Sequence, residues 1–156
     1  RRNGSHGSDR ASWTHGCNRR NGSGSAPSIV FLSRFVTPAS VLFYEPVSAV
    51  SIGTGATGSP SLQATTMPTA CTFSGIYASG TITGSAASDN ITVTLLKNGV
   101  ATGLSTSVTV SSLSVTVSGS NTTGSVAVAA GDTVALEVAQ TNTTPVVAMN
   151  VSTICQ

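Results

Sequence analysis

From residue 71 to the C-terminus, apolar and hydroxyl-bearing residues alternate, and the alternation is interrupted about every ten residues by Gly, Asn or Asp. Ile91, Val93 and Leu95 alternate with Thr92, Thr94 and Leu96. Successive side chains of a strand point to opposite faces, so this pattern sets one face on a core and leaves the Thr face in water. Lys97-Asn98-Gly99-Val100 follows at once. Asn and Gly both tolerate positive φ, so Asn98-Gly99 predicts a tight hairpin turn. Gly131-Asp132 predicts a second turn, ahead of the apolar run Thr133–Ala139. Further strand-like runs are Ser28–Ser33, Ala49–Gly53, Cys71–Ser79, Leu104–Val110, Leu113–Ser118, Ser125–Ala130 and Val146–Cys155. In Cys71–Ser79 the alternation predicts Cys71, Phe73, Gly75 and Tyr77 on one face. No segment carries a helical period. The chain therefore reads as all-β, a sandwich or a barrel.

Composition narrows the context. Apolar residues make up 39% of the 156 and charged residues only 8%, so neither a polyelectrolyte disordered chain nor a charged-surface cytosolic domain fits. The formal charge of +2 is unevenly placed: residues 1–24 hold Arg1, Arg2, Arg10, Arg19 and Arg20 against Asp9. Beyond them only Arg34 and Lys97 face Glu45, Asp89, Asp132 and Glu137, a net charge of −2. With few aromatics and no basic patch, nucleic-acid binding is not expected. No apolar run approaches the ~18–20 residues of a membrane span. The chain shows no signal peptide and does not begin with Met, as expected of a piece of a longer product. Strands rich in Ser and Thr with almost no Lys leave sheet edges unprotected, which favours an oligomer.

Residues 1–24 fit no packing pattern and read as a disordered tail preceding a β domain over 25–156. They do have a period of three: positions 1, 4, 7, 10, 13, 16, 19 and 22 are Arg, Gly, Gly, Arg, Trp, Gly, Arg and Gly. Each of these types has a codon ending in GG, and the residues before the next such position are mostly Asn, His or Asp, with codons ending in AC. Displaced by one nucleotide, NGG yields glycine and NAC threonine, and the segment becomes an uninterrupted Gly-X-Y tract. That is the signature of a collagen triple helix. The expectation is an out-of-frame copy of a collagen-like stalk, in which Cys17, His6, His15 and Trp13 have no selected role. The spacing of Cys17 with His6 and His15 matches no zinc module.

A collagen-like shadow followed by a compact β domain resembles the bacterial collagen-like glycoproteins of the spore exosporium, the BclA-like proteins. Leu96-Lys-Asn-Gly-Val100 and Val126-Ala-Val-Ala-Ala-Gly-Asp-Thr-Val134 resemble the hairpin and the "V-x-AGD-x-V" turn of their C-terminal domains. The resemblance covers residues 60–156. It implies a jelly-roll-like antiparallel β-sandwich, similar to tumour necrosis factor and complement heads, assembled as a homotrimer. It also implies an extracellular, structural head on a spore-surface filament, with other surface or spore-coat proteins as further partners. Related repeats occur in phage tail proteins, so a tail or adhesin tip binding a glycan or receptor is the alternative.

Catalytic chemistry finds little support in the sequence. No His lies beyond residue 24, so no Ser-His or Cys-His pair can form in the β domain. Glu45, Asp89, Asp132 and Glu137 are the only carboxylates available for an acid–base pair, and turn geometry accounts for Asp89 and Asp132. They are dispersed in sequence, which disfavours a calcium site. No catalytic residue, cofactor or metal is therefore expected. Cys71 and Cys155 are the only thiols after residue 24; a mutual disulfide, two buried free thiols and an interchain bond are all open. Asn90, Asn121, Asn142 and Asn150 begin N-x-Ser/Thr triplets, matches common in a chain this rich in Asn and Thr.

Overall fold

The computed structural model describes residues 28–37, 42–54, 59–83, 88–111, 116–142 and 146–156. Eleven strands span Ile29–Val36 (β1), Leu42–Glu45 (β2), Ala49–Thr54 (β3), Thr65–Thr66 (β4), Cys71–Ile82 (β5), Asp89–Lys97 (β6), Val100–Val110 (β7), Thr116–Asn121 (β8), Val126–Val128 (β9), Thr133–Gln140 (β10) and Val147–Cys155 (β11). A 3-10 turn covers Pro60–Leu62. One sheet has the order β3-β1-β11-β5-β8, with β9 beside the start of β5; the other is β2-β10-β6-β7, with β4 beside β10. All pairs are antiparallel except β1 with β3. With β3, β4 and β9 set aside, the eight remaining strands have jelly-roll order, consecutive strands changing sheet except at the β6–β7 hairpin. The fold is an all-β sandwich of the expected kind.

The core lies between the sheets. Phe35 and Phe43 meet edge to face across it, ring centroids 5.6 Å apart. Phe31 packs on Phe73 at 5.5 Å. Ile91, Val93, Leu95, Leu104, Val108, Leu136, Val138, Met149 and Val151 are fully buried. The Thr face of β6 points away from them, as the period-two pattern requires. Leu96 is on that outer face yet buried, where the segment Pro60–Ala64 lies over Thr133 and Ala135 of β10.

The structure corrects the sequence reading in two places. Phe73 and Tyr77 do not share a face: Phe73 is buried, Tyr77 is 39% exposed, and Ile76 and Ala78 point inward. The cause is a β-bulge. Ile154 lies opposite Gly75 but Cys155 opposite Phe73, so Ser74 is an extra residue that reverses the phase of β5. The second correction is β2, a four-residue strand that the alternation did not reveal.

The two sheets come together along one side. Asn121 Nδ2 of β8 donates to the Ser105 carbonyl of β7 at 3.0 Å. At Gly119 a Cβ would lie 2.2 Å from the Ser107 carbonyl oxygen. The start of β1 and the C-terminus also meet. Ile29 pairs with Cys155, and Thr72 and Gln156 exchange backbone hydrogen bonds of 2.7 and 3.0 Å. A bond between Cys71 and Cys155 ties β11 to β5, with Cα atoms 5.7 Å apart. Entry to and exit from the sandwich are thus at one end, together with the Asn98-Gly99 turn.

Candidate functional site

Two turns predicted separately from the sequence form one cluster. Asn98 (φ 52°), Gly99 (φ 77°) and Gly131 (φ 89°) occupy the left-handed region, where Gly and Asn carry the least steric penalty. Asp132 Oδ1 accepts from Asn98 Nδ2 at 2.8 Å. Asn98 Oδ1 in turn accepts from the Thr133 backbone N–H at 2.8 Å. Asp132 Oδ2 accepts from the Ala129 N–H at 2.8 Å and lies 3.0 Å from Lys97 Nζ. Lys97 Nζ also donates to the Ala127 carbonyl. The Ala129 N–H, the Asn98 amide and Lys97, in that order, hold the Asp132 carboxyl down at about 2, below its ordinary 3.8. The side chains of Asn98, Asp132 and Lys97 all have partners within the fold, and together they form a structural brace.

Asp132 yields an acid-stability prediction. Its folded value lies below the unfolded one, so its contribution is complete above 3.8 and is lost as pH falls through about 2. Thermal unfolding followed between pH 5 and 2 is expected to show this loss. Asp132→Asn should remove part of the slope; an unchanged slope counts against the brace.

The other carboxylates lie apart. Asp89, at the start of β6, is buried and its Oδ1 accepts from the backbone N–H groups of Asn90, Thr141 and Asn142 and from the Thr141 hydroxyl. It braces the end of the sandwich opposite Asp132, since β6 and β10 run antiparallel. Glu137 faces outward beside Tyr44 and Thr94, and Glu45 faces inward. Among the described residues no three His, Cys, Asp or Glu side chains converge on a metal position, and no helix is long and apolar enough to cross a membrane. The amides of Asn121 and Asn142 donate to Ser105 and Ser88 carbonyls, so these two triplets are engaged within the fold.

Among the described residues, a surface with capacity for recognition is the outer face of the six-stranded sheet. The register places Leu32, Ser152, Tyr77 and Ser120 in one cross-strand row, and Arg34, Asn150, Ser79 and Ser118 in the next. Val30 and Ile154 extend it toward the chain ends. Arg34 is the only charge in these rows. Val30 is 62% exposed and Leu32 57%. A Cβ at Gly75 would lie 3.1 Å from Tyr77 Cε2, so the Tyr77 ring lies back over the glycine and flat against the sheet. Between Leu32, Tyr77, Asn150 and the serines of β8 runs an open groove of about 540 Å³. Neutral donors and acceptors, one flat aromatic ring and exposed aliphatics make this face suited to docking. Sequence reasoning missed it because the Ser74 bulge decides which way Tyr77 points. Comparison with known protein families and with curated proteins yields no match.

Proposed function

We propose that this chain is the self-associating, non-enzymatic head of a collagen-like bacterial surface filament, assembled as a homotrimer outside the cell. The observation that carries the reading is the outer face of the six-stranded sheet. Val30, Leu32 and Tyr77 are exposed together there, beside a single charge. Exposed apolar groups concentrated on one face of low charge favour burial against a partner. The Gly-X-Y register of residues 1–22 supports the stalk. The adjacency of Ile29 and Cys155 supports a head attached at one end. A disulfide between Cys71 and Cys155 suits an oxidising, extracellular setting.

Light scattering on the full chain tests the assembly. Three chains per particle are expected, and Leu32→Glu should shift the particle toward monomer with an unchanged far-UV spectrum. A monomeric wild type overturns the proposal. One observation favours a second reading, a phage-tail or adhesin tip. The Tyr77 ring in a groove lined by Ser79, Ser118, Ser120, Asn150 and Ser152 offers stacking and neutral hydrogen bonds to a sugar. Saturable binding on a glycan array, lost in Tyr77→Ala, would promote that reading over the first.

A further inference from the structure

Among the described residues Asp89 and Glu45 are the buried carboxylates, each with one buried, unpartnered oxygen. Asp89 accepts several hydrogen bonds through Oδ1, and the more fully buried of the two is Glu45. It closes β2 with only 2% of its surface exposed, in a row with Leu136 of β10 and Leu95 of β6. Its Oε1 is buried without a hydrogen-bond partner. Phe35 of β1 and Phe43 of β2 touch across the core, and the chain reverses between these strands. Ser33, two residues before Phe35, therefore lies on the same side of the aromatic pair as Glu45, two residues after Phe43. Ser33 Oγ and, on β11, Thr153 Oγ1 are likewise buried and unpartnered.

Among the described residues no cation is at hand. Beyond residue 24 the sequence offers only Arg34 and Lys97. Arg34 is on the outer face of β1 opposite Asn150, and Lys97 is engaged by Asp132. Of the remaining ionisable groups, Tyr44 and Glu137 face outward on β2 and β10, and Tyr77 faces outward on β5. Asp89 is inward but lies six residues along β6 from Leu95, roughly 20 Å away by strand rise. An ionised Glu45 would be an uncompensated charge in an apolar interior, a state strongly disfavoured by lost hydration.

We infer that Glu45 is a proton-dependent latch of the sandwich: it is held as the neutral acid when β1 and β2 are closed over it, and its ionisation loosens that corner. Burial pushes its carboxyl from an ordinary 4.5 up to about 6. The folded value is the higher one, so the stabilisation from the proton is complete below 4.5 and is lost as pH rises through about 6. The folding constant is expected to fall on the order of tenfold across that window.

The test is unfolding of the full, oxidised chain at fixed concentration from pH 4.5 to 7.5, for wild type and Glu45→Gln. Wild type should lose stability over the window while Glu45→Gln stays nearly flat. Every other titratable group is common to both proteins, so its share appears in the variant. Equal slopes overturn the inference. Should Glu45→Gln fail to fold, carbon NMR of the wild-type Glu45 carboxyl decides. A midpoint well above 4.5 supports the latch, and one near 4.5 removes it. The outcome does not depend on self-association.

Discussion

Replacing Cys71 and Cys155 together by alanine is expected to lower the stability of the domain by about 4 kcal/mol, read as a fall in unfolding temperature of roughly 15 °C. The two cysteines are 84 residues apart, and closing a loop of that length removes much of the entropy of the unfolded chain; the chain-entropy relation gives about 4.5 kcal/mol. Position adds to the effect. Cys155 is fully buried at the end of β11, and the bond joins it to the first residue of β5, where the Ser74 bulge interrupts the ladder. The single variants Cys71→Ala and Cys155→Ala should each cost nearly as much as the double, because either one opens the same loop. Calorimetry with and without reductant checks this. A wild type insensitive to reductant under denaturing conditions, or a double variant within 1 kcal/mol of it, would sink the expectation.

Gly119→Ala should be nearly as damaging, although it adds one methyl group. The added Cβ would lie 2.2 Å from the Ser107 carbonyl oxygen and 3.0 Å from Thr106 Oγ1. The first neighbour is backbone, so no side-chain rotation relieves the clash. Strands β7 and β8 must separate, and the Asn121 amide then loses the Ser105 carbonyl. A loss of about 3 kcal/mol, or failure to fold, is expected. Gly103→Ala is the control, since a Cβ there meets nothing within 4 Å. Equal stability of the two variants in denaturant titrations would show that the sandwich is not closed along β7 and β8.

These expectations separate what the sequence discloses from what it hides. Alternation in β6 gave the direction of Ile91, Val93 and Leu95, because the inward side of that strand meets a uniformly apolar core. Asn98-Gly99 marked its turn because few residues accept positive φ at two successive positions. What stayed hidden depends on partners distant in the chain. The Ser74 bulge exists only relative to β11, and without it Tyr77 reads as a core residue. β2 is four residues long, and its inward position 45 carries a carboxyl, so Phe43-Tyr44-Glu45 gives no apolar alternation to detect. The brace between Asn98 and Asp132 spans 34 residues and needs the fold to bring the turns together. Each turn was legible alone; their junction was not.

The pairing of Ile29 with Cys155 has a mechanical consequence. A tether pulling on the N-terminal end of β1 against an anchor at the C-terminus loads the β1–β11 ladder from one end. Its bonds then break in succession and not together, so β1 peels at low force. The Cys71–Cys155 bond holds β11 on β5, which confines the rupture to the first strand and what it carries. Under tension the domain would yield one strand early while the rest of the sandwich keeps its shape.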